Sequence, residues 1–474
     1  MFIGRHKELA SLSRLYDSGK FEFVVLYGRR RVGKTALINQ FVADKPVIYF
    51  TGVESNIKQN LENLSHAIME FVTGKKTDTI FPSYQSALDY VFQIAAEKRI
   101  VLVLDEYPYV AKGEASLSST LQMLIDQYKH SSRLMLILCG SSMSYMEDKV
   151  LAQKAPLYGR KTAQILLQPF DFAQACSMLT GFPDEDKAIA YGMTGGTPQY
   201  LLQLNDSLSI EDNIRNTFLN STSALYEEPS NLLKQEIREP ALYNAIIAAI
   251  AGGASRISEI AGKIGETTAV CATYIRSLIS LGIVQREQPY GEKPSAKKTI
   301  YQICDPLFRF WYRFVPENAS IIARGAADLA WNRIKPYLSD YMGGIFEMIC
   351  AQYLWDQLLR GKSPMEFSEL GRWWGNDPVE KRQTEIDLMA LYKDRGLFAE
   401  CKWKNEQTDV FVLNTLVHRS ELFRCADRWL YVFSRAGFSK GCRERAEALG
   451  NIALVTYEDM ISELISRENP GGRA

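Results

Sequence analysis

An eight-residue segment near the start of the sequence has the residue types that bind phosphate. It reads GRRRVGKT, with glycines at Gly28 and Gly33 followed by Lys34 and Thr35. Glycines permit tight backbone turns, so successive N–H groups can face one phosphate. A strand-like apolar run (23–27) precedes the segment and a helical pattern follows it, which is the context of a phosphate-binding loop, or P-loop.

Each residue type in this loop suits one part of the phosphate chain of a nucleotide. The helix that begins after Gly33 points its positive dipole end at the phosphates. We expect Lys34 to contact β- and γ-phosphate oxygens and the Thr35 hydroxyl to bind Mg²⁺, with Ala36 as the next residue of the binding segment. These residues predict ATP and Mg²⁺ as the bound cofactors.

Two adjacent carboxylates, Asp105 and Glu106, end a later apolar run, IVLVLDE. Asp105 would hold Mg²⁺, and Glu106 would orient or deprotonate the attacking water. A strand that ends in Asp-Glu is a weak signal by itself, because acids often lie at strand ends. After a P-loop it predicts ATP hydrolysis.

Short apolar runs alternate with amphipathic helical stretches through the first third of the sequence. The runs lie at 23–27, 47–50, 100–104, 134–138 and 164–167. This alternation predicts an α/β fold with a mostly parallel sheet. We expect a P-loop ATPase core over residues 1–170 and a helical lid over residues 171–235.

These motifs together resemble the AAA+/STAND class of P-loop ATPases, and more closely a prokaryotic family that joins such a module to a winged helix and a C-terminal domain. Four further segments carry the resemblance: FIGRHKEL (2–9), LILCGSS (136–142), LYGRKT (157–162) and GGTPQYL (195–201). They are similar, in that order, to the family's box near the adenine, the sensor-1 strand, the arginine-finger segment and the GxP motif of the lid.

The resemblance implies roles for four side chains. Ser141 or Ser142 would sense the γ-phosphate, Arg160 would act as an arginine finger, and Pro198 would lie against the base. A homo-oligomer or a protein partner is expected if Arg160 acts in trans. Serines at a strand end are also ordinary caps, and Arg160 can equally be a surface arginine.

The pattern over residues 236–315 predicts a winged helix-turn-helix. Three helical stretches precede two strand-like segments that are joined by a polar loop. The loop lysines Lys293, Lys297 and Lys298 suit contacts with DNA phosphates. The third helix is poor in Arg, Asn and Gln, so reading of specific bases is not indicated. A packing unit that binds no DNA is the alternative.

A third α/β pattern, over residues 337–466, contains spaced carboxylates and a lysine. Asp387 lies on one strand-like run, while Glu400 and Lys402 share one face of the next. With Glu347 on the preceding helix, this pattern resembles the PD-(D/E)xK superfamily, also called restriction-endonuclease-like. The resemblance implies that Asp387, Glu400 and Glu347 hold Mg²⁺ and that Lys402 stabilises the transition state. Plain salt bridges are the alternative.

Composition limits the classes of protein that these motifs can belong to. The 474 residues have a formal net charge of +0, which argues against a wholesale nucleic-acid coat but permits a local basic face. The eight cysteines form no CxxC pair and suit free thiols in a reducing compartment. We find neither a signal-peptide pattern nor an apolar run long enough to span a membrane, and expect a cytoplasmic protein.

Two functions fit the whole pattern best. The first is an ATP-dependent enzyme that acts on DNA through a winged helix and a Mg²⁺-dependent nuclease-like domain. The second is a nucleotide-dependent switch whose C-terminal domain binds DNA or a protein partner without cleaving it. A protein remodeller with no dependence on nucleic acid is a third alternative.

Overall fold

The computed structural model describes residues 2–237, 239–293, 295 and 298–468. The chain divides into two compact units, Met1–Pro169 and Phe170–Ala474. Each unit contains a five-stranded sheet. Within the described residues, no helix combines the length and the hydrophobicity that a membrane span requires.

The first unit is built on a parallel sheet. Its strands are β1 (Glu22–Tyr27), β2 (Val47–Thr51), β3 (Ile100–Asp105), β4 (Leu134–Gly140) and β5 (Ala163–Leu166). They are ordered β2-β3-β4-β1-β5, and every neighbouring pair is parallel. Strands β3 and β4 are buried along their whole length, which explains their continuous apolar sequences. The predicted parallel α/β sheet is confirmed.

Helices connect these strands and cover the sheet. They are α1 (His6–Asp17), α2 (Lys34–Val42), α3 (Ile57–Thr73), α4 (Tyr84–Glu97), α5 (Tyr107–Gly113), α6 (Leu117–Tyr128) and α7 (Met143–Tyr145), with a π-helical turn at Met146–Leu151. Polar caps define several ends: Asn56 accepts a hydrogen bond from the Gln59 N–H before α3, and Ser83 forms a capping box before α4. Leu12, Phe41 and Val103 belong to the core that α1 and α2 form with the sheet.

The second unit begins with five helices in the region predicted as a lid. They are α8 (Phe172–Met178), α9 (Asp184–Thr194), α10 (Pro198–Leu201), α11 (Ile210–Thr217) and α12 (Ala224–Glu236). Between α9 and α10, Gly195 and Gly196 both have positive φ. A Cβ at Gly196 would lie 2.1 Å from the Phe170 carbonyl oxygen, so this turn requires glycine.

Three helices and a two-stranded antiparallel sheet follow, in the order that the sequence predicts. They are α13 (Pro240–Ala251), α14 (Ile257–Ile264), α15 (Thr268–Ser280), β6 (Val284–Glu287) and β7 (Ile300–Ile303). The chain turns between α14 and α15 at Gly265, whose backbone has the left-handed helical conformation. Lys297, one of the three lysines predicted on the loop between β6 and β7, lies outside the described residues.

A long helix, α18, leads into the second sheet. It follows α16 (Pro306–Phe314), a 3₁₀ turn at Pro316–Asn318 and α17 (Ala319–Ile322), and it spans Ala327–Leu359. The sequence predicts helix only over 345–359, so α18 is longer than expected and continues through Pro336. A Cβ at Gly344 would lie 2.2 Å from Nη2 of Arg309, so the end of the Arg309 side chain packs against this glycine.

The second sheet combines antiparallel and parallel strands. Its elements are β8 (Gly371–Asp377), β9 (Arg382–Tyr392), β10 (Arg395–Lys402), α19 (Val410–Glu421), β11 (Asp427–Ser434), α20 (Lys440–Leu449), β12 (Ile452–Thr456) and α21 (Tyr457–Glu468). The order is β12-β11-β10-β9-β8. Strands β8, β9 and β10 pair antiparallel, whereas β10, β11 and β12 pair parallel. Ile386, Phe398 and Leu416 belong to the core that α19 forms with this sheet.

Candidate functional site

The P-loop connects the end of β1 to the start of α2. The N-cap residue of α2, Gly33, has a φ of 93°, a conformation that L side chains rarely adopt. At Gly28 a side chain has no room, because a Cβ there would lie 2.3 Å from the Leu167 carbonyl oxygen. The shape of this loop therefore requires both glycines.

Lys34 is nearly buried against the loop. Its Nζ donates to the carbonyl oxygens of Gly28 at 2.9 Å and of Arg29 at 2.8 Å. The ammonium group is thus held over the loop, where an anion bound by the loop would meet it. Thr35 and Ala36 are exposed in the first turn of α2, where the helix dipole favours negative charge.

Asp105 lies at the end of β3 with only 3% of its surface exposed. Its Oδ2 accepts hydrogen bonds from Oγ1 of Thr35 at 3.1 Å and from the Tyr49 hydroxyl at 2.9 Å. The fold therefore brings together Thr35 and Asp105, the two predicted Mg²⁺ ligands of the P-loop site. Their oxygens form the kind of hard donor set that Mg²⁺ prefers.

Tyr49 is a member of this site that the sequence does not reveal. It lies in the middle of β2, which pairs with β3. Burial and the neighbouring Asp105 carboxylate raise the pKa of Tyr49 well above its ordinary value. Its hydroxyl therefore stays protonated and donates a hydrogen bond to Asp105. A tyrosine inside an apolar run is usually a packing residue, so the sequence carries no signal for this role.

Glu106 follows Asp105 in a left-handed backbone conformation, with a φ of 49°. Few residues other than glycine adopt this region, and such strain is typically found at functional positions. Oε2 of Glu106 accepts a hydrogen bond of 2.7 Å from Oγ of Ser141, at the end of the adjacent strand β4. Of the two serines predicted as γ-phosphate sensors, Ser141 makes this contact, while Ser142 is the N-cap residue of α7.

Arg5 ties the N-terminal segment to the P-loop. Its guanidinium donates to the carbonyl oxygens of Val32 at 3.0 Å and of Gln168 at 2.7 Å. Because this arginine is 4% exposed, both contacts lie inside the unit. The sequence motif at 2–9 points to this segment, but only the fold identifies Arg5 as the residue that braces the loop.

Two further residues predicted for the ATP site, Arg160 and Pro198, belong to different units. Arg160 forms an ion pair with Asp126 of α6, with Nη2 2.7 Å from Oδ2, and its guanidinium lowers the pKa of Asp126. It also donates to the Pro156 carbonyl oxygen at 3.0 Å. Pro198 belongs to the second unit, in the first turn of α10.

In the second unit, β9 and β10 bring the predicted Asp387, Glu400 and Lys402 together. Oδ2 of Asp387 accepts from the Cys401 N–H at 2.8 Å, and Oε1 of Glu400 accepts from Nζ of Lys402 at 2.6 Å. The other oxygen of Glu400 accepts from Arg419 of α19 at 3.1 Å. Glu400 is thus held between two cations.

Asp387 interacts electrostatically with Glu400 and with Glu347 of α18. Burial and the charges of Glu400 and Glu347 raise the pKa of Asp387 to about 8. Burial also raises the pKa of Glu347, although Arg372 and Arg309 oppose the shift. The predicted acids therefore share one environment in which like charges are close and solvent is scarce.

The geometry does not gather the three predicted metal ligands as closely as a bound ion would need. Among the described residues, one set of three acid or histidine side chains has ligand atoms all within 4.8 Å of one another. It consists of Asp377, Glu380 and His418. In this set, Nε2 of His418 lies 2.7 Å from Oδ2 of Asp377. Mg²⁺ held jointly by Glu347, Asp387 and Glu400 would require side-chain movement.

Comparisons with known proteins agree with the P-loop geometry. Residues 2–204 match a family described as an ATPase domain predominantly from Archaea, and residues 311–412 match a family described as archaeal and bacterial proteins of unknown function. The uncharacterized protein MJECL04 of Methanocaldococcus jannaschii is 32% identical over 416 residues, which cover 85% of this chain and 88% of the relative. The chain belongs to this family of P-loop ATPases.

Two further comparisons support the nucleotide site and the fold of this ATPase. An uncharacterized ATP-binding protein of Pyrococcus abyssi is 22% identical over 270 residues, 48% of this chain and 79% of that protein. The solved Walker-type ATPase paby2304 of Pyrococcus abyssi has a TM-score of 0.51 and 20% identity, over 66% of this chain and 96% of its own. The protein is therefore an ATP-binding P-loop ATPase.

Proposed function

We propose that this ATPase hydrolyses ATP with Mg²⁺ at the P-loop and uses the cycle to act on DNA through its second unit. The observation that carries the proposal is the contact chain at the ends of β3 and β4. Thr35 meets Asp105, and Ser141 holds the next carboxylate, Glu106. This arrangement combines a cation site with an oriented base beside a phosphate-binding loop.

Each side chain of the first unit has one role in the proposed reaction. Lys34 moves from the loop carbonyls to β- and γ-phosphate oxygens, which are stronger acceptors. Thr35 and Asp105 would hold Mg²⁺, which supplies charge neutralisation for the phosphates when bound. Glu106 accepts a proton from the attacking water, and Ser141 keeps its carboxylate oriented.

We assign the roles outside this contact chain by the family resemblance. Arg160 would serve a neighbouring copy as an arginine finger, which requires it to leave Asp126. Since this pair is partly exposed, breaking it costs about 1 kcal/mol or less. Pro198 would contact the base from the helical lid.

The second unit would supply the DNA-binding and nuclease-like parts. We propose a lid over 171–235, a winged helix over 236–315 and a nuclease-like domain over 337–466, after the ATPase core of 1–170. The exposed polar positions on α15, Thr273 and Arg276 among them, support a DNA-facing helix. Lys293 would contact phosphates directly, whereas Lys298 is paired with Glu292.

A second candidate function is a nucleotide-dependent switch that binds DNA or a protein partner without cutting. The surroundings of Glu400 favour it, because Lys402 and Arg419 already occupy both of its oxygens. A carboxylate compensated in this way has less need of a metal ion.

Hydrolysis and cleavage can be tested in the same samples. ATP hydrolysis is measured with and without double-stranded DNA, and the DNA is then run on a gel after incubation with Mg²⁺. A Lys402→Ala variant tests cleavage, and Lys440→Ala, which removes a lysine exposed on α20, is the matched control.

Three outcomes separate the candidates. Stimulated hydrolysis with cleavage that Lys402→Ala abolishes supports the ATP-coupled nuclease. Stimulated hydrolysis without cleavage supports the switch. If DNA changes neither signal, the proposed action on DNA is wrong, and a protein partner becomes the subject of the search.

A further inference from the structure

A cavity of about 730 Å³ lies inside the second unit. One wall comes from the C-terminal end of α13 and from β6 and β7, and the opposite wall comes from α18, β8 and β9. This volume falls within the roughly 300–1,000 Å³ of sites that enclose a small molecule. It has room for one nucleotide but not for a stretch of duplex.

The loop between β6 and β7 is fastened to the second sheet, so the walls of the cavity are fixed relative to each other. The Tyr290 N–H donates to the Arg372 carbonyl oxygen at 2.9 Å. The Tyr290 hydroxyl accepts a hydrogen bond from the Leu391 N–H at 3.0 Å. At Gly371 a Cβ would lie 3.2 Å from the Tyr290 ring. These contacts join the loop to both β8 and β9.

Two arginines supply positive charge to the cavity. Arg372 is paired with Glu385. Arg309 forms no ion pair with any residue that the structure describes, and its guanidinium lies against Gly344 and 5.7 Å from the Tyr341 ring centroid. Arg309 lines the cavity and interacts electrostatically with Glu287 and Glu347. A guanidinium fits a phosphate by two parallel hydrogen bonds.

Two residues of the wall also contain a buried polar atom without a hydrogen-bond partner. Nε of Arg372 and Oε2 of Glu287 are buried and have no hydrogen-bond partner among the described atoms. Buried polar atoms are normally paired, so each such exception calls for an explanation. The half-buried ring of Tyr301 adds an aromatic surface to the same wall.

We propose that this cavity binds one nucleotide unit, either a free nucleoside monophosphate or the terminal residue of a single strand. Arg309 and Arg372 take the phosphate, and Tyr301 stacks on the base. Because Glu347 and Asp387 also line the cavity, the inference rests in part on the proposed function. It names the ligand at that site and does not require cleavage.

Calorimetry with thymidine 5′-monophosphate tests the inference on the full chain. The Lys34→Ala variant disables the P-loop, and binding should persist in it unchanged. Arg309→Gln in that background should weaken binding roughly tenfold or more, because a charge-assisted contact to phosphate is lost. The matched control is Arg313→Gln on the same helix, whose ion pair with Asp340 is partly exposed. It should bind as the parent does.

A second variant covers the case in which Arg309→Gln fails to fold. Tyr301→Leu keeps an apolar side chain but removes stacking, and it should weaken binding roughly five- to hundredfold. Competition then separates the two sources of the ligand. A single-stranded oligonucleotide that displaces the monophosphate, while a blunt duplex does not, identifies strand ends as ligands. If neither the oligonucleotide nor the duplex displaces the bound monophosphate, the ligand is the free nucleotide.

The inference is overturned if binding disappears with Lys34→Ala, or if a folded Arg309→Gln or Tyr301→Leu protein binds as tightly as its parent. Its failure can be told apart from failure of the proposed nuclease. A protein that cuts no DNA but binds the monophosphate through Arg309 removes the nuclease and keeps the cavity ligand. A protein that cuts DNA but does not bind the monophosphate through Arg309 keeps the nuclease and removes the cavity ligand.

Discussion

Both units place carboxylates at strand ends, but they compensate the charge of those carboxylates in different ways. In the first unit, Asp105 accepts hydrogen bonds from two hydroxyl groups and a backbone N–H, and Glu106 accepts one from Ser141. In the second unit, Glu400 is paired with two cations, Lys402 and Arg419. Neutral donors orient a carboxylate and leave its charge for a metal ion, whereas cationic partners cancel that charge.

The difference bears on what each site can do as it stands. At the P-loop, a cation can approach oxygens that are already oriented. In the second unit, a cation would have to displace a lysine or an arginine, or else replace a proton on Asp387. The oxygens of the first site therefore keep a charge that a cation could use, whereas the charge of Glu400 in the second site is already balanced within the protein.

Glu106→Gln should have the largest effect, since it removes the proposed base while keeping the shape of the site. We expect kcat for ATP hydrolysis to fall by about 10²–10⁴-fold, with ATP binding retained. Steady-state phosphate release and nucleotide titration measure the two quantities. Glu70→Gln, at an exposed acid of α3, is the control. Equal activity of both variants would show that the P-loop site does not use Glu106 as a base.

Asp387→Asn should remove a pH dependence of stability that belongs to the second site. In the folded state the pKa of Asp387 is about 8, against about 4 in an unfolded chain. The protonated carboxyl therefore stabilises the fold fully below about pH 4, and this contribution is lost as the pH rises to about 8.

Asparagine cannot ionise, so the variant should lose about 4 kcal/mol less stability than the wild type between pH 5 and pH 9. Urea unfolding across this range measures the difference. Asp394→Asn, at an exposed position in the turn between β9 and β10, should follow the wild type. Parallel profiles for Asp387→Asn and the wild type would mean that burial and the neighbouring like charges do not raise the pKa of Asp387.

Tyr49→Phe tests whether neutral hydroxyl donors stabilise the Asp105 carboxylate of the first site. It removes one of the hydroxyl donors to Asp105 and should lower the free energy of unfolding by about 1–2 kcal/mol. Chemical denaturation measures the loss. Tyr158→Phe is the control, because Tyr158 is 45% exposed. If the free energy of unfolding falls no more than in the control, the Tyr49 hydroxyl does not stabilise Asp105.

Asp126→Asn should have the smallest effect on stability. The pair with Arg160 is partly exposed, so the free energy of unfolding should change by less than about 1 kcal/mol. Freed from this pair, Arg160 should raise the ATPase rate per chain at high protein concentration, which a concentration series measures. A rate independent of concentration would argue against action in trans.

The first site could be predicted because its signals are local in sequence. The P-loop and IVLVLDE are short segments, and buried parallel strands such as β3 and β4 are continuous apolar runs. Tyr49 and Arg5 could not be predicted, because their partners are distant in sequence and are brought near only by the order of the strands. Periodicity shows which face of an element is buried, but not which hydroxyl meets which carboxylate.

In the second unit, helices and strands alternate after residue 400 as the α/β pattern predicts. Two earlier elements, β8 and α18, could not be predicted from the sequence. Strand β8 is mostly half-buried at the edge of its sheet, with Trp373 and Asp377 as its buried positions, and its sequence GRWWGND is no apolar run. Helix α18 extends past Gly344, although a glycine favours a helix end. The glycine is explained by a close contact with Arg309, which the sequence cannot show.

The left-handed backbone at Glu106 has an evolutionary consequence. Any residue with a Cβ is disfavoured there by roughly 1–2 kcal/mol, and glycine is not. Selection for a more stable fold would therefore favour glycine at this position, whereas the proposed catalytic role of Glu106 would favour a carboxylate. Among relatives of this chain, glycine at this position would mark the lineages that have given up hydrolysis, and a retained acid would mark those that still turn over ATP.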